Sequence, residues 1–85
     1  MNPCDQRLIE ICTAAVVRGG TPEPAARIIA LQTAAQAFEQ RGRAMAERAD
    51  HAPRNQYHQE RQEAGKILLR GRAFLTEIQR LQEAQ

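Results

Sequence analysis

The sequence predicts an all-α fold, an antiparallel helical hairpin with a shorter amino-terminal helix packed on one end, as one domain of 85 residues. Three observations lead there. Fifteen alanines, ten glutamines and eleven arginines against a single lysine, Lys66, make a chain of good helix formers that is poor in β-branched and aromatic residues. Turn-forming clusters stand at Gly19-Gly20-Thr21-Pro22-Glu23-Pro24 and at Asp50-His51-Ala52-Pro53-Arg54-Asn55, and they cut the chain into three stretches. Within these stretches apolar residues recur at steps of three and four, the period of a helix with one buried face.

The first helix is expected over about residues 5–18, where Leu8, Ile9, Ile11, Cys12, Ala15 and Val16 form a wide apolar face. That face should be mostly buried, with Gly19 as a left-handed cap. The second helix, about 22–50, is signposted by Thr21 as N-cap. Pro22 and Pro24 then fall in the first turn, where an amide hydrogen would have no acceptor, and Glu23 meets the positive end of the dipole. Its seam is Ile28, Leu31, Ala35, Phe38, Gly42, Met45 and Ala49, a heptad rhythm.

The break before the third helix rests on Pro53, which disfavours helix at Ala52, with Asp50 as a cap just before it. The third helix, about 53–82, carries Tyr57, Ala64, Ile67, Gly71, Phe74, Ile78 and Leu81 in the same rhythm, flanked by Leu68 and Leu75. Reversal near Ala52 sets Phe38 near Ile67, Ala35 near Gly71, Leu31 near Phe74, Ile28 near Ile78 and Gly42 against Ala64. Large faces small, as close helix packing requires.

Apolar residues are shared unevenly along this hairpin. Ile28 to Phe38 and Ile67 to Leu81 are rich in them, whereas Glu39 to Glu63 holds little beyond Met45 and Tyr57, so one end is a core and the other a polar stalk. Leu68, Leu75, Ile29 and Ala34 widen the apolar stripe beyond a two-helix seam. A domain of this size buries only about 60–65% of its unfolded surface, so apolar surface is expected to remain for a partner.

Other chemistries find little support. Twelve basic and ten acidic residues are spread along the chain for a formal net charge of +2, without the blocky positive surplus of a nucleic-acid binder. Arg41, Arg43, Arg48, Lys66, Arg70 and Arg72 can form a basic strip, but Glu39, Glu47, Glu60, Glu63 and Glu77 interrupt it. There is no serine, no H-E-x-x-H, no C-x-x-C and no phosphate-binding glycine loop, so neither an enzyme nor a cofactor or metal site is expected. His51 and His58 read as solvated surface groups. Cys4 and Cys12 on one helix lie about 12 Å apart, too far for a disulfide, and Cys12 reads as a small buried apolar residue. Reduced thiols fit a cytoplasmic location. The amino terminus has no basic region followed by an apolar run, and no stretch of about 18 apolar residues occurs, so neither Sec export nor membrane insertion is expected.

The segment Glu23-Pro24-Ala25-Ala26-Arg27-Ile28-Ile29, then Ala34-Ala35 and Phe38-Glu39, then Pro53-Arg54-Asn55-Gln56-Tyr57-His58-Gln59 resembles the small helical-hairpin co-chaperones of bacterial type III secretion systems. The resemblance spans roughly residues 23 to 81. Its most telling part is Gln56-Tyr57 after the proline-containing turn; the polar start of the last helix, Glu60 to Glu63, departs from the pattern. It implies a non-enzymatic bacterial cytoplasmic protein. With a larger partner chaperone of tetratricopeptide-like helical repeats, such a protein holds the needle subunit soluble before export. On this reading Leu68, Leu75 and Ile78, with Phe74, are the expected partner contacts. Two alternatives stand beside it: a self-associating bundle in which two hairpins bury each other's stripes, and a DNA-binding regulator with Gly19-Gly20 between two helices.

Overall fold

The computed structural model describes residues 1–84, which form α1 (Pro3–Arg18), α2 (Glu23–Asp50) and α3 (Arg54–Glu83). α2 and α3 make the predicted antiparallel hairpin, and α1 packs on α2. The molecule is a rod of 49 × 25 × 19 Å. At 1.5 Å per residue α1 covers roughly 24 Å of a hairpin arm that is roughly 42 Å long, so it shields only the apolar end.

α1 begins where its first turn is best satisfied. The Asn2 side chain accepts a hydrogen bond from the Asp5 amide at 2.8 Å, and Pro3 occupies the first helical position, two residues before the expected start. The helix ends at Arg18 as expected, but the left-handed residue falls one position later than expected. Gly19 is right-handed, and Gly20 takes the left-handed conformation at φ 108°. The Gly20 amide then donates to the Val17 carbonyl at 2.9 Å and the Thr21 amide to the Val16 carbonyl at 3.4 Å, a Schellman closure.

The Thr21 backbone amide finishes α1, and its side chain makes no cap bond to α2. Pro22 stands at the N-cap, extended at ψ 149°, with no side-chain cap, and its carbonyl accepts from the Ala26 amide at 2.8 Å. Pro53 repeats the same device before α3. Asp50 is likewise the last residue of α2 and not a cap; its carboxylate reaches Arg61 at 3.7 Å across the turn.

The core gathers at the predicted end. Ile9, Leu31, Ala34, Ala35, Phe74 and Ile78 form it, with Ile28, Phe38 and Leu81 packed against it. Ala35 and Gly71 face each other as the pairing required: a Cβ on Gly71 would lie 3.5 Å from the Ala35 carbonyl oxygen. Phe38 also meets Phe74, ring centroids 5.3 Å apart and tilted by 54°. Gly42, expected against Ala64, instead has Leu68 as its nearest neighbour, whose Cγ and Cδ2 would stand 2.6 Å from an added Cβ.

α1 is not mostly buried. Ile9 and Thr13 are, together with the charged Asp5, while Leu8, Ile11 and Val17 stay 38%, 57% and 40% exposed, Ala15 is exposed and Cys12 is only half-buried. The reason lies in the bed beneath it. Ala26, Ala30 and Ala34 are buried at i, i+4 and i+8 on α2, off the seam that faces α3, and such a shallow strip engages only one residue per turn of a covering helix. Buried Thr13 satisfies its hydroxyl internally, donating to the Ile9 carbonyl at 2.6 Å.

Candidate functional site

Two side chains fix which face of the hairpin is covered. Asp5 on α1 is 2% exposed, and Arg70 on α3 reaches it with two donors, Nε to Oδ2 at 3.2 Å and NH2 to Oδ1 at 2.5 Å. The Arg70 guanidinium also lies over the Phe38 ring, 4.6 Å from its centroid. Its hydrogen bond to Asp5 holds the Arg70 pKa above the ordinary arginine value, helped by the nearby negative charge and opposed by burial. Arg70 is therefore a clasp for α1 and does not lie on a free basic strip.

Two residues along a helix are about 200° of rotation, so Leu68 and Arg72 point away from Arg70. On that opposite face the hairpin leaves an open groove of about 760 Å³. Its floor is Ala35, Gly71 and Leu68; Gln32, Gln36, Glu39 and Arg43 form the α2 wall, and Gly65, Leu69, Arg72 and Leu75 the α3 wall. Leu69 is 65% exposed and Leu75 54%, and Ile29 stands exposed on the same helix as the glutamine wall.

Of the four residues expected to meet a partner, the structure brings Leu68 and Leu75 to this groove. Phe74 and Ile78 are corrected to core: Phe74 is fully buried against Leu31 and Phe38, and Ile78 lies in the same cluster, because both fall on the seam toward α2. Leu69 was missed. Its signal was present, since it is a leucine in a polar helix two residues from either neighbouring seam position, Ile67 and Gly71, and so turned away from the seam where no internal contact needs it.

The groove has few charged side chains. Its charged groups are Arg43, held to Glu39 at 2.7 Å, and Arg72, which has no ion-pair partner among the described residues. A second, smaller depression of about 420 Å³ near the turn is lined by Met45, Arg48, Gln56, Gln59, Glu60 and Glu63, all at the polar stalk beyond the reach of α1. Among the described residues no buried side-chain polar atom lacks a partner, and no three His, Cys, Asp or Glu side chains converge. No described helix is long and apolar enough to cross a membrane. The predicted basic strip is broken up: Arg70 binds Asp5, Arg43 binds Glu39, and Lys66 lies 3.6 Å from Glu63. Compared with protein-family models, curated proteins and solved structures, the chain has no match.

Proposed function

We propose that this protein is a non-enzymatic protein-binding module whose α2–α3 groove takes an amphipathic helix of a partner. The observation that carries this reading is the groove itself. Leu69 and Leu75 stand more than half exposed around a floor of Ala35, Gly71 and Leu68 on the face that α1 does not cover. Burying a leucine side chain fully yields about 1.5–3 kcal/mol; Leu68 and Leu75, seven residues apart on one face of α3, with Leu69 at the rim, form an anchor for a helix laid in the groove. A thin domain with a small core gains stability from such a partner by mass action.

The finer reading is a cytoplasmic co-chaperone of bacterial type III secretion. It pairs with a tetratricopeptide-like chaperone and keeps the needle subunit soluble; the resemblance around Gln56-Tyr57 supports this. A needle subunit must hide an amphipathic helix until assembly, and a shared apolar helical groove is the physical means of hiding it. Co-expression with the needle subunit and repeat chaperone of a type III secretion system from the same genome tests it. The expected result is a soluble complex that Leu69→Asp together with Leu75→Asp dissolves while the isolated chain keeps its helical circular dichroism. A complex that survives the double substitution, or none in the wild type, contradicts the reading.

A further inference from the structure

We infer that the occupant of the groove is a helix whose apolar stripe is flanked by carboxylates, and that it comes closest to this chain over Gly65; the inference rests on the protein-binding reading above. Two independent observations lead to it. The first is charge. Glu39 is satisfied by Arg43 at 2.7 Å, and farther along the hairpin Arg61 shares Asp50 at 3.7 Å, so Arg72, in the leucine-lined part of the groove, is left with an uncompensated positive charge. A second copy of this chain is the wrong occupant for such a surface. Antiparallel pairing centred between Leu68 and Leu75 brings Arg72 against its own counterpart, a like-charge contact that disfavours self-pairing. A carboxylate on a foreign helix meets Arg72 instead, and such a pair sets selectivity and encounter rate more than raw affinity.

The second observation is Gly65. It lies inside α3, it is not at positive φ, and a Cβ built on it meets nothing within 4 Å. Neither a turn nor internal packing uses a glycine there, yet glycine within a helix lowers its stability. By contrast, Gly71 is packed against α2, where a Cβ would come 3.4 Å from Phe38 Cβ. Gly65 lines the groove and leaves the wall bare beside Leu68 and Leu69, which admits the backbone of a docked helix at close range.

The test uses two fluorescein-labelled designed amphipathic peptides of about 20 residues, long enough to span most of an arm. They share one leucine stripe and carry either glutamates or lysines beside it. Anisotropy titrations are run with the wild type, Arg72→Glu, Gly65→Leu and Leu69→Asp. The wild type is expected to bind the glutamate peptide about tenfold more tightly than the lysine peptide, with a preference that fades in high salt. Arg72→Glu reverses the order, and Gly65→Leu weakens both peptides at undiminished helicity. Equal binding of the two peptides by the wild type, or an unchanged order in Arg72→Glu, overturns the charge assignment; if Leu69→Asp still abolishes binding in that case, the groove reading survives alone. Peptide binding unaffected by Leu69→Asp, or a wild type that binds neither peptide but forms a dimer broken by Leu69→Asp, overturns both.

Discussion

Asp5 and Arg70 carry the least replaceable contact in the molecule, because one of the two charges is almost wholly out of water. Removing the arginine strands a buried carboxylate, the situation in which breaking an ion pair is most damaging. Arg70→Ala is expected to cost about 2–3 kcal/mol, less than for a fully enclosed pair because Arg70 itself is partly solvated. Urea denaturation of Arg70→Ala, Asp5→Ala and the double variant measures it, with the double variant losing less than the sum of the two. The sequence displayed Asp5 at the start of a helix and Arg70 in a row of basic residues. Nothing in it tied the two across a separation of 65 positions, since that contact depends on where α1 lands. A second electrostatic contribution is local and exposed. The hydrogen bond from Arg80 holds the Glu77 carboxyl below its ordinary value of 4.5, with Arg27 and the amino terminus adding to the pull and burial opposing it. A carboxyl with a depressed folded-state pKa stabilises the fold above its unfolded value and loses that contribution as pH falls through the folded value. Glu77→Gln should therefore flatten the fall of Tm below about pH 4.5, and change nothing in the slope near pH 7.

The helices and their buried seams were the most legible part of the chain. Seam residues Leu31, Ala35, Gly42 and Ala49 on α2, and Ala64, Gly71, Phe74 and Ile78 on α3, are buried where a three-four rhythm placed them. Less legible were the ends, because Thr21 and Asp50 carry good capping side chains that cap neither helix: the Thr21 backbone amide closes α1, and the Asp50 carboxylate reaches Arg61. The first helix was the main misreading: its apolar residues signal burial, but the alanine bed beneath it accepts only a narrow line of them. Two glycines in helices separate packing from propensity. Gly65→Ala meets open space and should stabilise the isolated chain by about 0.5–1 kcal/mol, the ordinary helix-propensity gain. Gly42→Ala has the same propensity gain, but its methyl would overlap Leu68 Cγ. It should lose about 1 kcal/mol net as Leu68 is forced aside. Thermal denaturation of both variants decides this, and Leu68→Ala in the background of Gly42→Ala should recover part of the loss.

At the scale of the whole molecule, a short helix shields one face of a long hairpin and leaves the other face open. The division explains why half of the residues expected at a partner surface turned out to be core. Phe74 and Ile78 lie on the seam between the arms, whereas Leu68 and Leu75 lie one step around α3 toward the groove. Phe74→Ala is accordingly expected to cost about 3–5 kcal/mol and to unfold a domain of this size at moderate temperature, read by circular dichroism. Leu75→Asp should leave the fold intact and affect association alone. The most direct measurement of the central claim is methyl nuclear magnetic resonance on leucine- and isoleucine-labelled protein, free and in complex with the co-expressed repeat chaperone and needle subunit. Large shifts are expected for Leu68, Leu69 and Leu75 with Leu8 and Ile11 unmoved. Shifts confined to Leu8 and Ile11 on α1, with the groove leucines unchanged, would contradict it.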